Sequence, residues 1–353
     1  MWRRRPGRCA ALPGTCKRSL SRTVPERDAQ MPPVRRAGRA GADPEALISA
    51  AREGDPRALA RLVSLVENGA PELRRVMKVI APLTGHAHVV GLTGAPGVGK
   101  STVTGALVRS YRDNGMRVGV LAVDPTSPFT GGALLGDRVR MQDHATDRQV
   151  FIRSMATRGH LGGLSWATPQ ALRILDAAGF DVVLVETVGV GQAEVEIASL
   201  ADVAIVVVAP GLGDSIQAAK AGILEIGDIF VVNKSDRPGT QEVIRDLRTM
   251  LAMANYGESA WKPPIVSTAA ATGEGIADLA AAIAKHMEWL TQAGQLAARR
   301  RARAREEISA VALGALRQRM GGLPGESRLD ELAIKVADGE LDPYTAADSL
   351  ISG

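Results

Sequence analysis

Residues 91–102 read Gly-Leu-Thr-Gly-Ala-Pro-Gly-Val-Gly-Lys-Ser-Thr, between an apolar run, His88 to Leu92, and a helix-like segment, Val103 to Asn114. Strand, glycine loop and helix in that order are what a P-loop demands, and the match to G-x-x-x-x-G-K-[ST] beginning at Gly94 is complete. Gly94, Gly97 and Gly99 let the backbone turn its N–H groups inward on a polyphosphate, and a helix starting near Lys100 points its positive end the same way. Lys100 is placed to reach the β/γ-phosphates and the Ser101 hydroxyl to bind Mg²⁺. The phosphate-contacting candidates are Gly94, Ala95, Pro96, Gly97, Val98, Gly99, Lys100, Ser101 and Thr102.

The basic balance of the chain, +5 overall, invites a nucleic-acid reading that its distribution removes. Residues 1–40 hold eleven Lys and Arg against two acids, and the rest holds 32 basic against 36 acidic residues, so the body is mildly acidic. No nucleic-acid partner is expected. The tail lacks apolar periodicity and reads as disordered; it is either an organellar transit peptide or an extension upstream of an internal start at Met31. With eight Lys against thirty-five Arg and abundant Ala and Gly, a bacterial cytoplasmic protein is the preferred reading, a mitochondrial matrix protein the alternative. Both cysteines, Cys9 and Cys16, lie in the tail, which leaves the body without a disulfide or a cysteine-based metal site. The longest apolar runs, such as Val203 to Ala209, are strand-sized, so no membrane partner is expected.

In order, the chain predicts a tail over 1–42, a helical segment over 43–84, a nucleotide domain over 85–290 and a helical segment over 291–353. Asp43-Pro44-Glu45 reads as a cap and first turn, and Gly54-Asp55-Pro56 as a break. Arg117 to Val123 ends in Asp124-Pro125-Thr126-Ser127, a carboxylate at a strand edge where ligands of α/β sheets gather, or else a turn cap. Asp137 and Arg140 share a face of a short helix, or form an exposed salt-bridged turn. The loop Arg158 to Leu164 contains His160, which reads as structural because no second His or Cys lies near it. The strand Asp181 to Glu186 runs into Thr187-Val188-Gly189-Val190-Gly191-Gln192, like a Walker B strand entering a switch. Glu186 is then a Mg²⁺ ligand, direct or through water, and Gln192 either positions water or is a solvated loop residue. A loop-like segment, Gly211 to Lys220, follows the strand Ala201 to Pro210.

Asp228 to Val232 then delivers Asn233-Lys234-Ser235-Asp236. A carboxylate there accepts from guanine N1–H and the 2-amino group together, a donor pair adenine lacks, so GTP is favoured over ATP. Ser267, Thr268 and Ala269 follow the strand Pro264 to Val266, where backbone donors would meet the base oxygen, and Thr272-Gly273-Glu274-Gly275 opens a helix to about Leu290. Arg299 to Glu307, on a long helix from Gln292 to Arg319, reads as a solvated charged face; two short helices, Arg328 to Ala337 and Thr345 to Ile351, end the chain. The fold class expected is α/β: a P-loop NTPase with a mainly parallel sheet flanked by helices, plus helical extensions at both ends.

These motifs, with the closing Leu341-Asp342-Pro343-Tyr344-Thr345-Ala346-Ala347, make residues 43–353 similar to the MeaB/ArgK/MMAA family. Those are GTPases that act as chaperones of adenosylcobalamin-dependent methylmalonyl-CoA mutase. The most specific marks are Glu186 in place of the usual Walker B Asp, the Arg158 to Leu164 loop and the closing motif. The resemblance implies Mg²⁺ held by Ser101 with Asp124, Asp137 and Glu186, and guanine contacts from Asn233, Lys234, Asp236 and Ser267 to Ala269. It places Arg140 and Lys220 in switch segments, and adds GTP and GDP as substrate and product, homodimerisation through the C-terminal helices and a cobalamin-dependent mutase as client. Lys100, Asp137, Arg140, Glu186, Gln192 and Lys220 are the catalytic candidates. The basic tail is unmatched. Three rivals are weighed: a transport-system kinase, which the guanine motif opposes; a nickel-inserting GTPase, which needs Cys and His clusters; and a scaffold with a degenerate site, which the intact Lys100, Ser101 and Glu186 oppose.

Overall fold

The computed structural model describes residues 43–124, 146–156, 167–187, 193–211, 223–254, 256–257, 260–319 and 327–351. Among these lie seven strands: β1 (His88–Thr93), β2 (Val118–Asp124), β3 (Val150–Ala156), β4 (Val182–Thr187), β5 (Val203–Val208), β6 (Ile229–Asn233) and β7 (Ile265–Thr268). They form one sheet in the order β3-β2-β4-β1-β5-β6-β7, and every pairing is parallel. The mainly parallel sheet expected is thus wholly parallel among the described residues. From β1 the order runs outward in both directions, so the crevice at the carboxyl ends beside β1 is where such sheets bind ligands.

The helices are α1 (Pro44–Arg52), α2 (Pro56–Glu67), α3 (Leu73–Ile80), α4 (Lys100–Asp113), α5 (Ala167–Ala177), α6 (Ala193–Leu200) and α7 (Ile223–Ile226). After them come α8 (Thr240–Met253), α9 (Ile276–Gln292), α10 (Gln295–Arg319), α11 (Ser327–Ala337) and α12 (Pro343–Ile351). Period-2 alternation sorts the strand side chains onto two faces. Val90, Leu92, Val182, Leu184, Val203 and Ile205 pack with Val103 and Leu107 of α4 and Leu279 and Ile283 of α9. Val89, Val183 and Val185 face the other way, into a core shared with α5, α6 and the N-terminal helices through Leu62, Val66, Val76, Ala171 and Leu175. Buried on both faces, β1, β4 and β5 read as continuous apolar runs, as parallel strands should. Strand β3 was not foreseen, because Arg153 and Ser154 interrupt its apolar pattern. It lies at the sheet edge, where Arg153 is half-buried and pairs with Glu67 of α2.

Two local expectations are corrected. Asp43 makes no side-chain cap for α1; its carboxylate accepts from Arg75 Nη2 at 2.8 Å, while Asp55 caps α2 by accepting from the Arg57 N–H at 2.8 Å. The Arg-rich run on α10 is also only in part a solvated face: Arg301, Arg305 and Glu306 are exposed, but four other charges of the run are paired. Arg299 donates through both terminal nitrogens to Asp228, each at 2.8 Å, and Arg300 reaches Asp202 Oδ2 at 3.1 Å and the carbonyls of Gly85 and Ala87. Arg303 donates to the Leu200 carbonyl at 2.5 Å, and Glu307 accepts from Arg173 Nη2 at 2.6 Å. The periodicity could not show this, because the partners are carboxylates far away in sequence.

Those carboxylates belong to a device that recurs at the amino ends of the strands. Asp181, Asp202 and Asp228 each stand directly before a strand, β4, β5 and β6. Each donates its backbone N–H to a carbonyl on the neighbouring strand or just before it, and takes back that residue's N–H on its side chain. The residues so clasped are Arg117, Val89 and Ala204. The clasp satisfies edge N–H groups, and at Asp202 and Asp228, where the negative charge is buried, the α10 guanidiniums neutralise it. Asp176 does similar work for the loop before β1, accepting from the N–H groups of Gly85, His86 and Ala87.

His286 of α9 lies beside this cluster, fully buried, 4.6 Å from the Trp261 ring and stacked on Trp289 at 5.8 Å. Its Nε2 is 3.4 Å from Asp228 Oδ1. Burial lowers its pKa to about 4, with Asp228 opposing the shift and Arg299 adding to it.

Two stability predictions follow from the amino-end cluster. Asp202→Ala, which strips the counter-charge from Arg300 and Arg303 and orphans the Val89 N–H, lowers unfolding free energy by about 3 kcal/mol or more in urea titrations. For His286, the unfolded chain takes up a proton near pH 6.5 that the native chain refuses. Its contribution is complete above pH 6.5 and is lost as pH falls toward 4. Urea unfolding of His286→Phe between pH 7 and 4 should therefore show a shallower acid decline than the unsubstituted chain.

Candidate functional site

At the carboxyl end of β1 the chain enters the loop Gly94 to Gly99 and then α4. Gly94 has φ 136°, and a Cβ there would lie 2.1 Å from the Val207 carbonyl oxygen of β5. Gly99 has φ 98°, with a Cβ placed 2.4 Å from Asn233 Nδ2. No L side chain fits either position, so both glycines are dictated by close approach as well as by dihedral angle. Ala95 is half-buried, Pro96 and Gly97 are exposed, and Val98 is fully buried and anchors the loop in the core. Lys100 lies across the loop, its Nζ donating to the carbonyls of Gly94 at 2.7 Å and Ala95 at 3.1 Å.

One helical turn sets the next group. Ser101 and Thr104 are three residues apart on α4 and face the same side, toward β4. Glu186, paired with Leu92 on β1 and Ala122 on β2, sits at the carboxyl end of β4 and is buried. Its Oε1 accepts from Ser101 Oγ at 2.6 Å and its Oε2 from Thr104 Oγ1 at 3.0 Å. A hydroxyl and a carboxylate in contact, both hard oxygen donors beside a P-loop, suit Mg²⁺, which takes one or two carboxylates and completes its shell with phosphate and water. The residues present therefore fit that ion. Asp124 ends β2, one position past the Val123–Thr187 pairing, so its backbone belongs to the same edge. The Asp124 side chain lies outside the described residues, as do Asp137, Arg140, Gln192, Lys220 and the Arg158 to Leu164 loop with His160.

The third group stands at the ends of β6 and β7, where Asn233 pairs with Thr268. Asn233 is buried and joins three segments. Its Nδ2 donates to the Val98 carbonyl at 2.9 Å, while its Oδ1 accepts from Thr268 Oγ1 at 3.1 Å and from the Ala270 N–H at 3.2 Å. Lys234, the one non-glycine residue with positive φ among those described, at 58°, turns its Nζ onto the Gly97 carbonyl at 2.6 Å. That conformation leaves Asp236 exposed just beyond the turn, whose carbonyls at Ser235 and Arg237 accept from Thr240 Oγ1. Ser267 is exposed and Thr268 and Ala269 are buried. The Ala269 N–H donates to the Glu274 carbonyl at 3.1 Å, so the loop donor turned toward Asn233 is that of Ala270.

The fold thus gathers Gly94 to Thr102, Glu186, Asn233, Lys234 and Ser267 to Ala269 at one sheet edge, with Asp236 on the adjoining turn. Sequence reasoning passed over two residues here. Thr104 carries a signal in its spacing, one turn after Lys100; Ala270 carries none that its neighbours do not share.

With this geometry in view, similarity to known proteins is informative. The family model described as methylmalonyl-CoA mutase-associated GTPase MeaB matches residues 59–323. A protein of Pyrococcus horikoshii named as a GTPase is 50% identical over 307 residues, 86% of this chain and 96% of its own length. The mouse protein named methylmalonic aciduria type A homolog, mitochondrial, is 30% identical over 320 residues, 85% of this chain and 76% of its own. A solved structure described as a LAO/AO transport system kinase superposes with a TM-score of 0.64 at 27% identity, covering 87% of this chain and 96% of that one. The chain belongs to the MeaB family of P-loop GTPases.

Proposed function

We propose that the protein hydrolyses GTP to GDP and phosphate and uses that cycle as a chaperone of adenosylcobalamin-dependent methylmalonyl-CoA mutase. The observation that carries the enzymatic part is the triple junction at Asn233, which ties the base-side turn to the phosphate loop beside the Ser101–Glu186 pair. The mutase part rests on the description of the matching family.

Lys100 exchanges its loop carbonyls for β- and γ-phosphate oxygens, so a charge already held at the loop is redirected without moving the backbone. The N–H groups of the P-loop and of the first turn of α4 cradle the remaining oxygens. Ser101 would hold Mg²⁺ together with Glu186, direct or through water, with Asp124 and Asp137 nearby; the ion would supply neutralising charge to the phosphates. Arg140, Gln192 and Lys220 belong to the segments that orient water and sense the γ-phosphate. Asp236 accepts from the two guanine donors, which favours GTP over ATP as the substrate. Ser267 to Ala269 line the base on its other side.

The C-terminal helices expose Ile308, Val311, Leu313, Leu316, Leu329 and Ile334, an apolar surface that supports homodimerisation there. Asp342 caps α12, accepting from the N–H groups of Tyr344 and Thr345, which gives the closing motif its structural role. We place the protein in the cytoplasm, with the mitochondrial matrix as the alternative. Among the described residues no helix is long and apolar enough to cross a membrane.

Hydrolysis assays with GTP and ATP, with and without the mutase, test the proposal. Turnover is expected to be selective for GTP, to rise with the mutase and to vanish in Lys100→Ala; a Lys100→Ala variant as fast as the unsubstituted protein would remove the P-loop from the mechanism. Basal GTPase activity unmoved by the mutase would refute that client alone. Asp236→Ala should lower the GTP-over-ATP preference by about 100-fold or more, since two hydrogen bonds to a charged acceptor, about 1.5–3 kcal/mol each, are lost.

A further inference from the structure

Glu186 is one methylene longer than an aspartate at the same strand position, and a longer side chain has an additional torsion to fix before its carboxylate can serve as a ligand. Ser101 cannot fix it alone. On the proposed reading the Ser101 oxygen turns to Mg²⁺, and a hydroxyl bound to a cation directs its proton by the demands of that bond. The second contact is independent of that change: Thr104, fully buried on the next turn of α4, donates to Glu186 Oε2 at 3.0 Å while Ser101 engages Oε1. The Thr104 hydroxyl also lies 3.0 Å from the Lys100 carbonyl, within its own helix, so its position is set by the P-loop helix itself. Between the two acceptors the ionised carboxylate is the stronger.

We infer that Thr104 is a positioning residue that locks the Glu186 carboxylate in its metal-binding rotamer. The inference rests on the proposed reading of the site and adds to it a residue outside the P-loop motif. Thr104 touches neither nucleotide nor ion on this account. It acts through Glu186, and its effect belongs in the metal dependence of nucleotide binding, with metal-free binding unaffected. Groups that orient a metal ligand are commonly worth about 10- to 100-fold in metal affinity.

The test is a Mg²⁺ titration of the affinity for fluorescent N-methylanthraniloyl-GDP, using the full chain and the variants Thr104→Val and Thr104→Ser, with melting temperatures recorded alongside. Thr104→Val keeps the shape and removes the donor, and it should raise the Mg²⁺ midpoint about 10-fold or more with affinity in EDTA unchanged. Thr104→Ser restores a hydroxyl and should return the midpoint to within about 3-fold of the unsubstituted value. Equal midpoints for Thr104→Val and the unsubstituted chain, or equal displacement by valine and serine, overturn the inference. Should the valine variant not fold, Glu186→Asp decides. Its shortened carboxylate loses reach to Thr104, so adding Thr104→Ala, which removes the donor without adding bulk, should leave the Glu186→Asp midpoint where it is, while Thr104→Ala alone raises it about 10-fold or more; a further shift in the Glu186→Asp background, or none in Thr104→Ala alone, overturns the inference. An unsubstituted protein that binds the labelled GDP at no Mg²⁺ concentration overturns the reading of the site, and the Thr104 role with it.

Discussion

A parallel sheet aims every carboxyl end one way and every amino end the other, and this chain answers the two edges with opposite chemistry. At the carboxyl edge, tight glycine turns and helix α4 present N–H groups, Lys100 and hydroxyls to a ligand. At the amino edge the same backbone demands acceptors, and Asp181, Asp202 and Asp228 supply them. The two edges are linked through the strands between them. Electrostatics follows from this: buried carboxylates at one end call for guanidiniums, so α10 is bound by its arginines.

How much of this was legible in the sequence differs between the edges. The P-loop, Glu186 and Asn233 to Asp236 were readable because nucleotide chemistry fixes residue type and spacing within a few consecutive positions. Their convergence followed from β1, β4 and β6 being strongly apolar runs that end in polar residues, and strands in an α/β sheet expose those ends together. Asn233 was expected to serve the base, and what the structure shows is Asn233 holding the phosphate loop. That part was hidden, since its partners Val98 and Ala270 contribute only backbone atoms and any residue type supplies those.

The amino edge was less legible for a related reason. Arg299, Arg300 and Arg303 fall among other arginines on a helix whose remaining charges do face solvent, and nothing local separates the paired from the exposed. The signal lay on the other side of the contact. Aspartate directly before a buried strand occurs three times, at 181, 202 and 228, each time where an exposed turn residue would suffice if the backbone needed nothing. Strand β3 was missed because edge strands bury one face incompletely, so Arg153 and Ser154 are tolerated where a central strand would exclude them.

Strand β6 is where the two edges meet. Asp228, directly before it, is gripped by Arg299 of α10, and five residues later the strand ends at Asn233, which grips the P-loop through the Val98 carbonyl. Five residues of extended chain span roughly 17 Å, without a loop in between. The helix that carries the exposed apolar surface is therefore joined to the phosphate loop by two side-chain clasps and one buried strand. A mechanical link of that kind is stiff, because extended backbone paired on both sides does not lengthen, and its neighbours β5 and β7 hold it on each flank. A partner held by α10 and a nucleotide held by the P-loop would thus load the same structural element from opposite ends.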